Sequence, residues 1–478
     1  MNDDVFFAGI TELNQRWRTR EFSAVELTRA FCERLEKLGP RYNALALPMT
    51  AIALRRAKDI DKELKDGRLR GPLQAVPYGA KDLLAYAGQP TTWGAKPYAG
   101  QVFEETAAVL QKLDKTGANL IGKLSMVELA GGGDYRIAGA SLFGPGLNPW
   151  DRTKWSGGSS SGPGSAVAAG LVPYALGSET SGSILGPAAL CGVTGLRPTY
   201  GLVSRRGAMT LAWTMDKIGV LARSADDCGN VLQAIAGGDD RDEGSAGKSF
   251  YYFPQYARPL NQLKIGFAPA DIDWAEPPMR PALAAAIQAI GETGVKLTEV
   301  EIPDFPYGDL ADIVIGAEGG AAFEELIASG RVDQLADPSQ AAGLRANLGI
   351  PAKDYLRAMR IRTLIKAKFR EMFSDVDLLV APARYGQAPP VAEPFDGPDP
   401  PRDKTPTSRG LRGLTPAGNL AGLPAISVPC GMTGTTSGRM PVGLQILGPA
   451  FSENMVLALA NEFQKRTDWH KQRPPVSS

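Results

Sequence analysis

The sequence of 478 residues contains a single histidine, His470, in the polar stretch 467–471 close to the C-terminus. A serine–histidine–aspartate triad needs an imidazole held in a preorganised site, and zinc sites generally use several imidazoles or thiolates. A chain terminus suits neither, because termini are commonly frayed. We therefore expect His470 at the surface, and any hydrolytic chemistry must use a different base.

Informative patterns of charge and cysteine are also lacking. The net charge is +1 without a basic stripe, so nothing favours a nucleic-acid partner. The four cysteines show no CxxC spacing, which is typical of buried thiols in a reducing compartment. The N-terminus lacks the order of a signal peptide, and no apolar run reaches the ~18 residues of a membrane span. The sequence thus predicts a cytoplasmic protein that does not enter a membrane.

The chain changes in texture after its first 65 residues. Residues 1–65 predict helices, and Ser23 with Glu26 forms a capping-box pattern at one helix start. Residues 66–478 mix helical segments with short apolar runs, including a strand–helix–strand pattern between Leu263 and Ile302. We expect an α/β fold with an N-terminal helical segment (1–65) and one compact catalytic domain (66–478). Residues 394–412 are expected to form a surface loop bordering a substrate entrance.

Three segments stand out for their chemistry. They are Val76–Leu83, which holds Lys81, the serine and glycine cluster Ser156–Gly162, and Gly177–Ile184. Each also has an ordinary structural explanation. A lysine in an apolar run usually extends its ammonium group to water, a Gly/Ser cluster is most often a flexible loop, and the third segment fits a turn before a buried helix.

Taken together, the three segments offer a substitute for the missing histidine. A serine hydroxyl becomes a nucleophile only when a base takes its proton, and lysine can be that base when desolvation keeps it neutral. The apolar neighbours of Lys81 allow such burial. A second hydroxyl can connect lysine and nucleophile, because it donates and accepts at once. The turn 180–183 can direct successive backbone N–H groups at one point, as an oxyanion hole requires.

The same segments resemble the amidase signature family. The resemblance rests on the element Val76-Pro77-Tyr78-Gly79-Ala80-Lys81-Asp82, the run Gly157-Gly158-Ser159-Ser160, and Gly177-Ser178-Glu179-Thr180-Ser181-Gly182-Ser183-Ile184. They occur in the order of the family, with Ser159 24 residues before Ser183. Segments 191–199, 419–425 and 441–445 match as well. The similarity extends from about residue 5 to 475.

The resemblance implies a role for each matching residue. Ser183 corresponds to the acyl-forming nucleophile, Ser159 to a relay serine preceded by a cis peptide bond, and Lys81 to the base. The oxyanion hole corresponds to backbone N–H groups of the turn, namely those of Thr180, Ser181, Gly182 and Ser183. The family fold is a large central mixed β-sheet covered by helices on both faces. Its chemistry requires no metal and no organic cofactor.

One position departs from the family pattern near the predicted nucleophile. Leu185 stands where the family usually has an arginine that pairs with the acidic residue corresponding to Glu179. Arg197 and Arg205 are the candidates to replace that arginine. Ser160, beside the relay serine, is expected to support it.

The acyl pocket is predicted from a glycine-rich run, Leu129–Tyr135, which falls where family members place a loop beside the acyl site. The residues expected to contact substrate are Ala130, Gly131, Gly132 and Tyr135. Trp213 and Tyr385 are further candidates, although core packing explains either equally well. Three adjacent glycines leave room for a bulky group, so simple amides, anilides, esters, carbamates and linear nylon-type amides all remain open. The expected activity is that of an amidohydrolase, with aryl acylamidase and urethanase activity both compatible.

Two other functions remain open. One is the glutaminase (A) subunit of a tRNA-dependent amidotransferase, which uses the same chemistry and passes ammonia to its partners. Segment 129–141 does not resemble the Thr-Glu-Asn-Ser region of that protein, and Leu185 departs from it as well. The other is an inactive homologue serving as a binding module, which the three filled catalytic positions oppose. We therefore expect an enzyme acting on a small molecule, with a homodimer left open.

Overall fold

Within the residues that the computed structural model describes (1–256, 258–395, 410–434 and 438–476), eleven strands form one mixed sheet. The strands are β1 (Leu45–Pro48), β2 (Pro77–Lys81), β3 (Asn119–Leu124), β4 (Tyr174–Glu179), β5 (Thr194–Arg197), β6 (Lys217–Ala222), β7 (Lys264–Phe267), β8 (Lys296–Glu299), β9 (Leu378–Pro382), β10 (Ala425–Met432) and β11 (Pro441–Leu447). Their order across the sheet is β1-β3-β2-β4-β6-β5-β10-β11-β9-β7-β8.

Fifteen α-helices accompany the sheet in the same ranges. They are α1 (Ile10–Arg18), α2 (Ala24–Leu38), α3 (Thr50–Lys65), α4 (Ala108–Lys115), α5 (Ser161–Ala168), α6 (Leu185–Cys191), α7 (Ala225–Ile235), α8 (Ala270–Trp274), α9 (Arg280–Gly291), α10 (Tyr307–Ala322), α11 (Glu324–Ala328), α12 (Pro338–Asn347), α13 (Ala352–Asp375), α14 (Leu414–Ala421) and α15 (Glu453–Thr467). None of the described helices is long and apolar enough to cross a membrane.

The sheet is buried on both faces along most of its width. Every residue of β2, β3, β4, β6 and β11 is buried. Because successive side chains of a strand point to opposite faces, complete burial means that both faces are covered. The edge strands β1 and β8 are the ones whose side chains remain partly or fully exposed throughout. The α/β class and the mixed sheet predicted from the sequence are thereby confirmed.

The N-terminal 65 residues contain more than the predicted helices. Ser23 caps α2 as expected, since its hydroxyl accepts from the N–H of Glu26 at 3.1 Å and its N–H donates to the Glu26 carboxylate at 2.8 Å. The segment also supplies β1, which pairs antiparallel with β3 at the edge of the sheet. A strand of four residues is too short for its alternation to be recognised in the sequence.

The remaining sequence-based elements mostly lie where they are expected. The strand–helix–strand pattern between Leu263 and Ile302 corresponds to β7, α9 and β8, and the two C-terminal strand predictions correspond to β10 and β11, which pair antiparallel. The predicted loop at 394–412 falls largely on residues 396–409, which lie outside the described residues.

The sheet positions the three chemical segments. Strands β2 and β4 are parallel neighbours, and Lys81 and Glu179 are their last residues. The carboxyl ends of parallel strands lie at the same edge of a sheet, where α/β proteins commonly bind ligands. Helix α5 begins at Ser161 and α6 at Leu185, so both serine-containing turns lead into helices next to this edge.

Candidate active site

Lys81 lies at the centre of the site and is completely buried. Its Nζ is 2.7 Å from the hydroxyl of Ser159 and 2.9 Å from the hydroxyl of Ser178. Ser178 is on the neighbouring strand β4, so the register of β2 and β4 brings it to the end of β2. The amine is therefore surrounded by hydroxyl groups, which can exchange protons with it.

No carboxylate neutralises Lys81 through direct contact, because the adjacent acid is occupied. Asp82 forms an ion pair with a second buried lysine, Lys123, at 2.7 Å. Burial lowers the pKa of Lys81 to about 7, while the more distant charges of Asp216 and Glu179 act in the opposite direction. An amine with this pKa is neutral in a large fraction of molecules near neutral pH, as a general base must be.

The serine cluster holds Ser159 at the lysine. The peptide bond between Gly158 and Ser159 is cis, and the preceding Gly157 has a φ of 90°. The carbonyl of Ser159 accepts from the N–H of Val127 at 3.1 Å. Ser160 continues the connection, because its N–H donates to the carbonyl of Ser183 at 3.3 Å. These contacts fix the predicted relay serine beside the turn that carries the predicted nucleophile.

Ser160 also supports the site through strand β4. Its hydroxyl donates to the carbonyl of Ser178 at 3.2 Å and lies 3.4 Å from the N–H of the same residue. The side chain of Ser178 is thus held from behind while its own hydroxyl contacts Lys81. Sequence reasoning included Ser178 in the third segment but gave it no role.

The turn between β4 and α6 presents Ser183 to an open space. Ser183 is 9% exposed, and Gly182 before it has a φ of 88°, which favours glycine. Among the hydrogen bonds of the described residues, none is donated by the N–H groups of Ser181, Gly182 or Ser183. Three unused backbone donors in succession are what an oxyanion hole requires.

The hydroxyl of Ser183 makes no hydrogen bond to Ser159 within the described part of the chain. Catalytic hydrogen bonds are often long or poorly aligned in a free enzyme and tighten when substrate binds. The structure therefore joins Lys81 to Ser159 directly and joins Ser159 to Ser183 through the neighbouring backbone.

Glu179 organises the start of helix α6. Its carboxylate accepts from the N–H groups of Ile184 at 2.8 Å and Leu185 at 3.0 Å. Its other oxygen is 2.8 Å from Arg197 and 2.9 Å from the amide of Asn419. Burial acts to raise the pKa of Glu179, but these partners hold it below the usual value. Arg197 therefore takes the place of the arginine that the family pattern has at position 185.

The other candidate for that role is engaged elsewhere. Arg205 pairs with Asp242 at 2.6 Å. A further acid supports the turn from the opposite side, since the hydroxyl of Thr180 donates to Asp216 at 2.6 Å. The carboxylate of Asp216 also accepts from the N–H groups of Leu211 and Ala212 at 2.8 and 3.0 Å.

A cavity of about 1250 Å³ opens above Ser183. Its lining includes the whole turn from Thr180 to Ser183 as well as Gly158. Three of the four predicted substrate contacts, Ala130, Gly131 and Tyr135, line it. The prediction for Gly132 was wrong. A Cβ on that glycine would meet Leu211 and Phe323, so it faces the core instead.

The two aromatic candidates separate in the structure. Tyr385 lines the cavity. Trp213 is 43% exposed and lines a different, smaller cavity of about 260 Å³. It therefore does not contribute to the space above Ser183.

His470 takes no part in the site, as expected, but it is not a frayed surface residue. It is half-buried in a short 3₁₀-helix (Trp469–Lys471), and burial lowers its pKa to about 4. Arg223 donates to the carbonyls of His470 and Gln472, both at 3.1 Å, and so anchors the C-terminal stretch. The expectation of a surface position failed because this anchor comes from a residue distant in sequence.

Comparison with known proteins agrees with this geometry. A family model described as Amidase matches residues 26–457. The chain belongs to the amidase signature family. As in that family, an amide-hydrolysing enzyme is the coarse functional class.

Individual relatives of this amidase differ in what their names describe. The glutaminase (A) subunit of the glutamyl-tRNA(Gln) amidotransferase of Methylococcus capsulatus is 35% identical, over 97% of this chain and 98% of the relative. The native peptide amidase of Stenotrophomonas maltophilia is 30% identical, with a TM-score of 0.81 and 98% of each chain covered. A bacterial aryl acylamidase of the same family has a TM-score of 0.85 over both whole chains at 22% identity, and this likeness concerns the fold alone.

Three side chains of the amidase site escaped sequence reasoning. Ser178, Asp216 and Asn419 each contact a predicted site residue through a pairing between distant segments. Asn419 lies in a motif used for the family resemblance, and that was its available signal. Ser178 and Asp216 could be found only once the order and register of the strands were known.

Proposed function

We propose that this chain hydrolyses the amide C–N bond of a small molecule through an acyl-enzyme on Ser183. One observation carries the proposal. A completely buried amine, Lys81, lies 2.7 Å from the Ser159 hydroxyl, beside a turn with unused backbone donors. This arrangement provides a base, a proton relay, a nucleophile and an oxyanion site without an imidazole.

Acylation begins with the proton of Ser183. As neutral Lys81 draws the proton of Ser159, Ser159 takes the proton of Ser183, whose oxygen then attacks the substrate carbonyl. The resulting oxyanion accepts from the N–H groups of the turn, which supports the developing charge. Protonated Lys81 returns the proton through Ser159 to the leaving nitrogen, and the C–N bond breaks.

Deacylation repeats the same transfers with water in place of Ser183. Lys81 draws a proton from water through Ser159, the hydroxide attacks the acyl carbon, and the ester bond to Ser183 breaks. The relay then returns the proton to the Ser183 oxygen. Ser178 keeps a hydroxyl at 2.9 Å from Lys81, so the amine has a hydrogen-bond partner in each protonation state.

The proposed substrates are amides, anilides or carbamates with a sizeable group near the scissile bond. A cavity of about 1250 Å³ exceeds the ~300–1,000 Å³ common for ligand pockets. Glycines at positions 131 and 133 line it and leave space that side chains would fill. These features support a substrate larger than a simple aliphatic amide, and aryl acylamidase or urethanase activity is included in the proposal.

A second candidate is favoured by the sequence relatives. The identity of 35% to the glutaminase component of a glutamyl-tRNA(Gln) amidotransferase exceeds the 30% to the peptide amidase. In that role Ser183 would take the acyl group of glutamine, and ammonia would pass to partner proteins. Relatives by sequence thus favour this candidate over a self-sufficient amidase, whereas Leu185 and the segment 129–141 depart from the glutaminase pattern.

Both candidates can be tested with the purified chain alone. The substrates are a primary carboxamide, a 4-nitroanilide, an aryl carbamate and glutamine, and amine or ammonia release is measured. A self-sufficient amidase turns over one of the first three without any partner. Hydrolysis of glutamine that appears only with the other components of an amidotransferase would favour the second candidate.

The nucleophile has its own control in the same assay. Ser183→Ala should reduce release to background, while Ser374→Ala, an exposed serine on α13, should retain the wild-type rate. Normal turnover by Ser183→Ala would contradict the assignment of Ser183 under either candidate.

A further inference from the structure

The cavity above Ser183 contains several charged side chains. The charged residues that line it are Asp134, Arg136, Asp312, Arg384 and Arg412. Arg136 pairs with Asp134 at 3.0 Å, so these two charges largely offset each other. The rest of the lining is small, apolar or uncharged polar. A cation without an anionic partner in this space would thus be available to a ligand.

Arg384 is held at the floor of the cavity by the sheet. It follows strand β9, whose last residue Pro382 pairs with Leu444 of β11, and the next N–H, that of Ala383, donates to the carbonyl of Gly443 at 2.9 Å. The backbone on the N-terminal side of Arg384 is therefore fixed. A charged side chain on such a support can bind in a defined orientation.

The guanidinium lies beside the nucleophile turn. Its Nη1 is 3.8 Å from the point that a Cβ on Gly186 would occupy, and the carbonyl oxygen of Gly158 is 3.9 Å from the same point. Gly186 is one helical turn beyond Ser183, and its N–H donates to the carbonyl of Gly182 at 2.8 Å. Because position 186 carries no side chain, the space between Arg384 and the turn stays open.

Arg384 has no counter-ion in the described part of the chain. Neither an ion pair nor a hydrogen bond engages its guanidinium, in contrast to Arg197 and Arg205, which both pair with acids. More than a third of the residue is accessible to solvent, yet desolvation lowers its pKa. The two observations agree if the solvent reaches it inside the cavity. An arginine remains charged there, and its planar fork matches a carboxylate.

We infer that Arg384 binds a carboxylate of the substrate, so that the preferred amides are those carrying a carboxylate away from the scissile bond. The inference rests on the proposed function and specifies its substrate class. Glutamine also carries a carboxylate, so the probes below have no α-amino group. A charge-assisted contact of this type changes affinity by roughly tenfold to a hundredfold.

Two matched probe pairs test the inference. The first pair is N-(4-nitrophenyl)succinamic acid and the corresponding primary amide, which place the charge in the acyl part. The second pair is 4-acetamidobenzoic acid and 4-acetamidobenzamide, which place it in the leaving amine. In at least one pair, the wild type should show a kcat/KM at least tenfold higher for the acid than for the neutral partner.

The variants assign that preference to one side chain. Arg384→Gln should lower the acid-to-neutral ratio at least tenfold, mainly through KM, and Arg384→Lys should retain part of it. Arg357→Gln removes an exposed arginine on α13, outside the cavity, and should leave the ratio unchanged. A wild-type ratio near one in both pairs, or an unchanged ratio in Arg384→Gln, would overturn the inference.

A binding measurement keeps the result separate from the proposed function. Calorimetry with Ser183→Ala should show the acid of one pair binding at least tenfold more tightly than its neutral partner, and Ser183→Ala/Arg384→Gln should lose this difference. If the wild type hydrolyses no probe, the proposed function fails while the binding comparison still decides on Arg384. Equal binding of acids and neutral partners in both pairs would contradict the inference even if turnover is observed.

Discussion

Replacing Lys81 by methionine should stabilise the protein while removing its activity. The ordinary pKa of the lysine is 10.5 and burial lowers it to about 7, a shift that corresponds to roughly 5 kcal/mol of unfavourable free energy for the charged form. Methionine has a similar length and carries no charge, so this penalty disappears. The two hydrogen bonds to Ser159 and Ser178 are lost, at about 1 kcal/mol each. The net gain in unfolding free energy at pH 7 and below is therefore about 3 kcal/mol.

The gain should depend on pH in a defined direction. Between the folded pKa of about 7 and the unfolded value of 10.5, the unfolded chain binds more protons at Lys81 than the folded protein does. The penalty is therefore complete below pH 7 and falls by about 1.4 kcal/mol per pH unit as the pH rises. The advantage of Lys81→Met should shrink through this range and reverse by about pH 10, where the lost hydrogen bonds remain.

Urea unfolding of the wild type and Lys81→Met between pH 6.5 and 9.5 measures this difference. Lys353→Met serves as the control, since Lys353 is exposed at the start of α13 and its replacement should show no such pH dependence. A variant that is less stable than the wild type at pH 7, or a difference that stays constant with pH, would refute a desolvated lysine at this position.

The remaining predictions concern activity and the support of the turn. Because Lys81 must be neutral and has a pKa of about 7, kcat/KM should fall about tenfold per pH unit below pH 7; a flat profile down to pH 5 would contradict a lysine base. Arg197→Met leaves the carboxylate of Glu179 buried without its ion pair, and urea unfolding should show a loss of about 3–5 kcal/mol; a loss under 1 kcal/mol would mean that Asn419 and the backbone suffice. Ser178→Ala removes one partner of Lys81, and stopped-flow assays should show a lower kcat with little change in KM; an unchanged kcat would leave Ser178 without a role.

The sequence predicted the composition of the site better than its wiring. Lys81, Ser159 and Ser183 lie in short motifs that can be identified locally, and the structure brings all three to the ends of β2 and β4. The capping box of α2 is equally local and was predicted for the same reason. Local chemistry leaves a signal in adjacent residues, and such signals survive without knowledge of the fold.

Contacts between distant segments left no comparable signal. That Asp82 pairs with Lys123, and so leaves Lys81 without a carboxylate, follows from the parallel pairing of β2 and β3. The choice of Arg197 over Arg205 as partner of Glu179 likewise depends on where β5 lies in the sheet. Neither register can be read from periodicity alone, because the strands are buried on both faces and do not alternate.

Two errors have the same origin. Gly132 belongs to a glycine-rich run that looks uniformly suited to a pocket, but Leu211 and Phe323 pack against it from other elements. His470 was expected at a loose terminus, although Arg223 ties down the backbone around it. In both cases a distant residue decided the environment.

The most direct test of the mechanism is the site and rate of acylation. The enzyme is mixed with a slowly deacylating 4-nitrophenyl ester, quenched at intervals and examined by peptide mass spectrometry. We predict an acyl adduct on Ser183, its absence in Ser183→Ala, and formation at least roughly a hundredfold slower in Lys81→Met. An adduct on another residue, or an undiminished rate in Lys81→Met, would contradict a neutral lysine acting through Ser159 on Ser183.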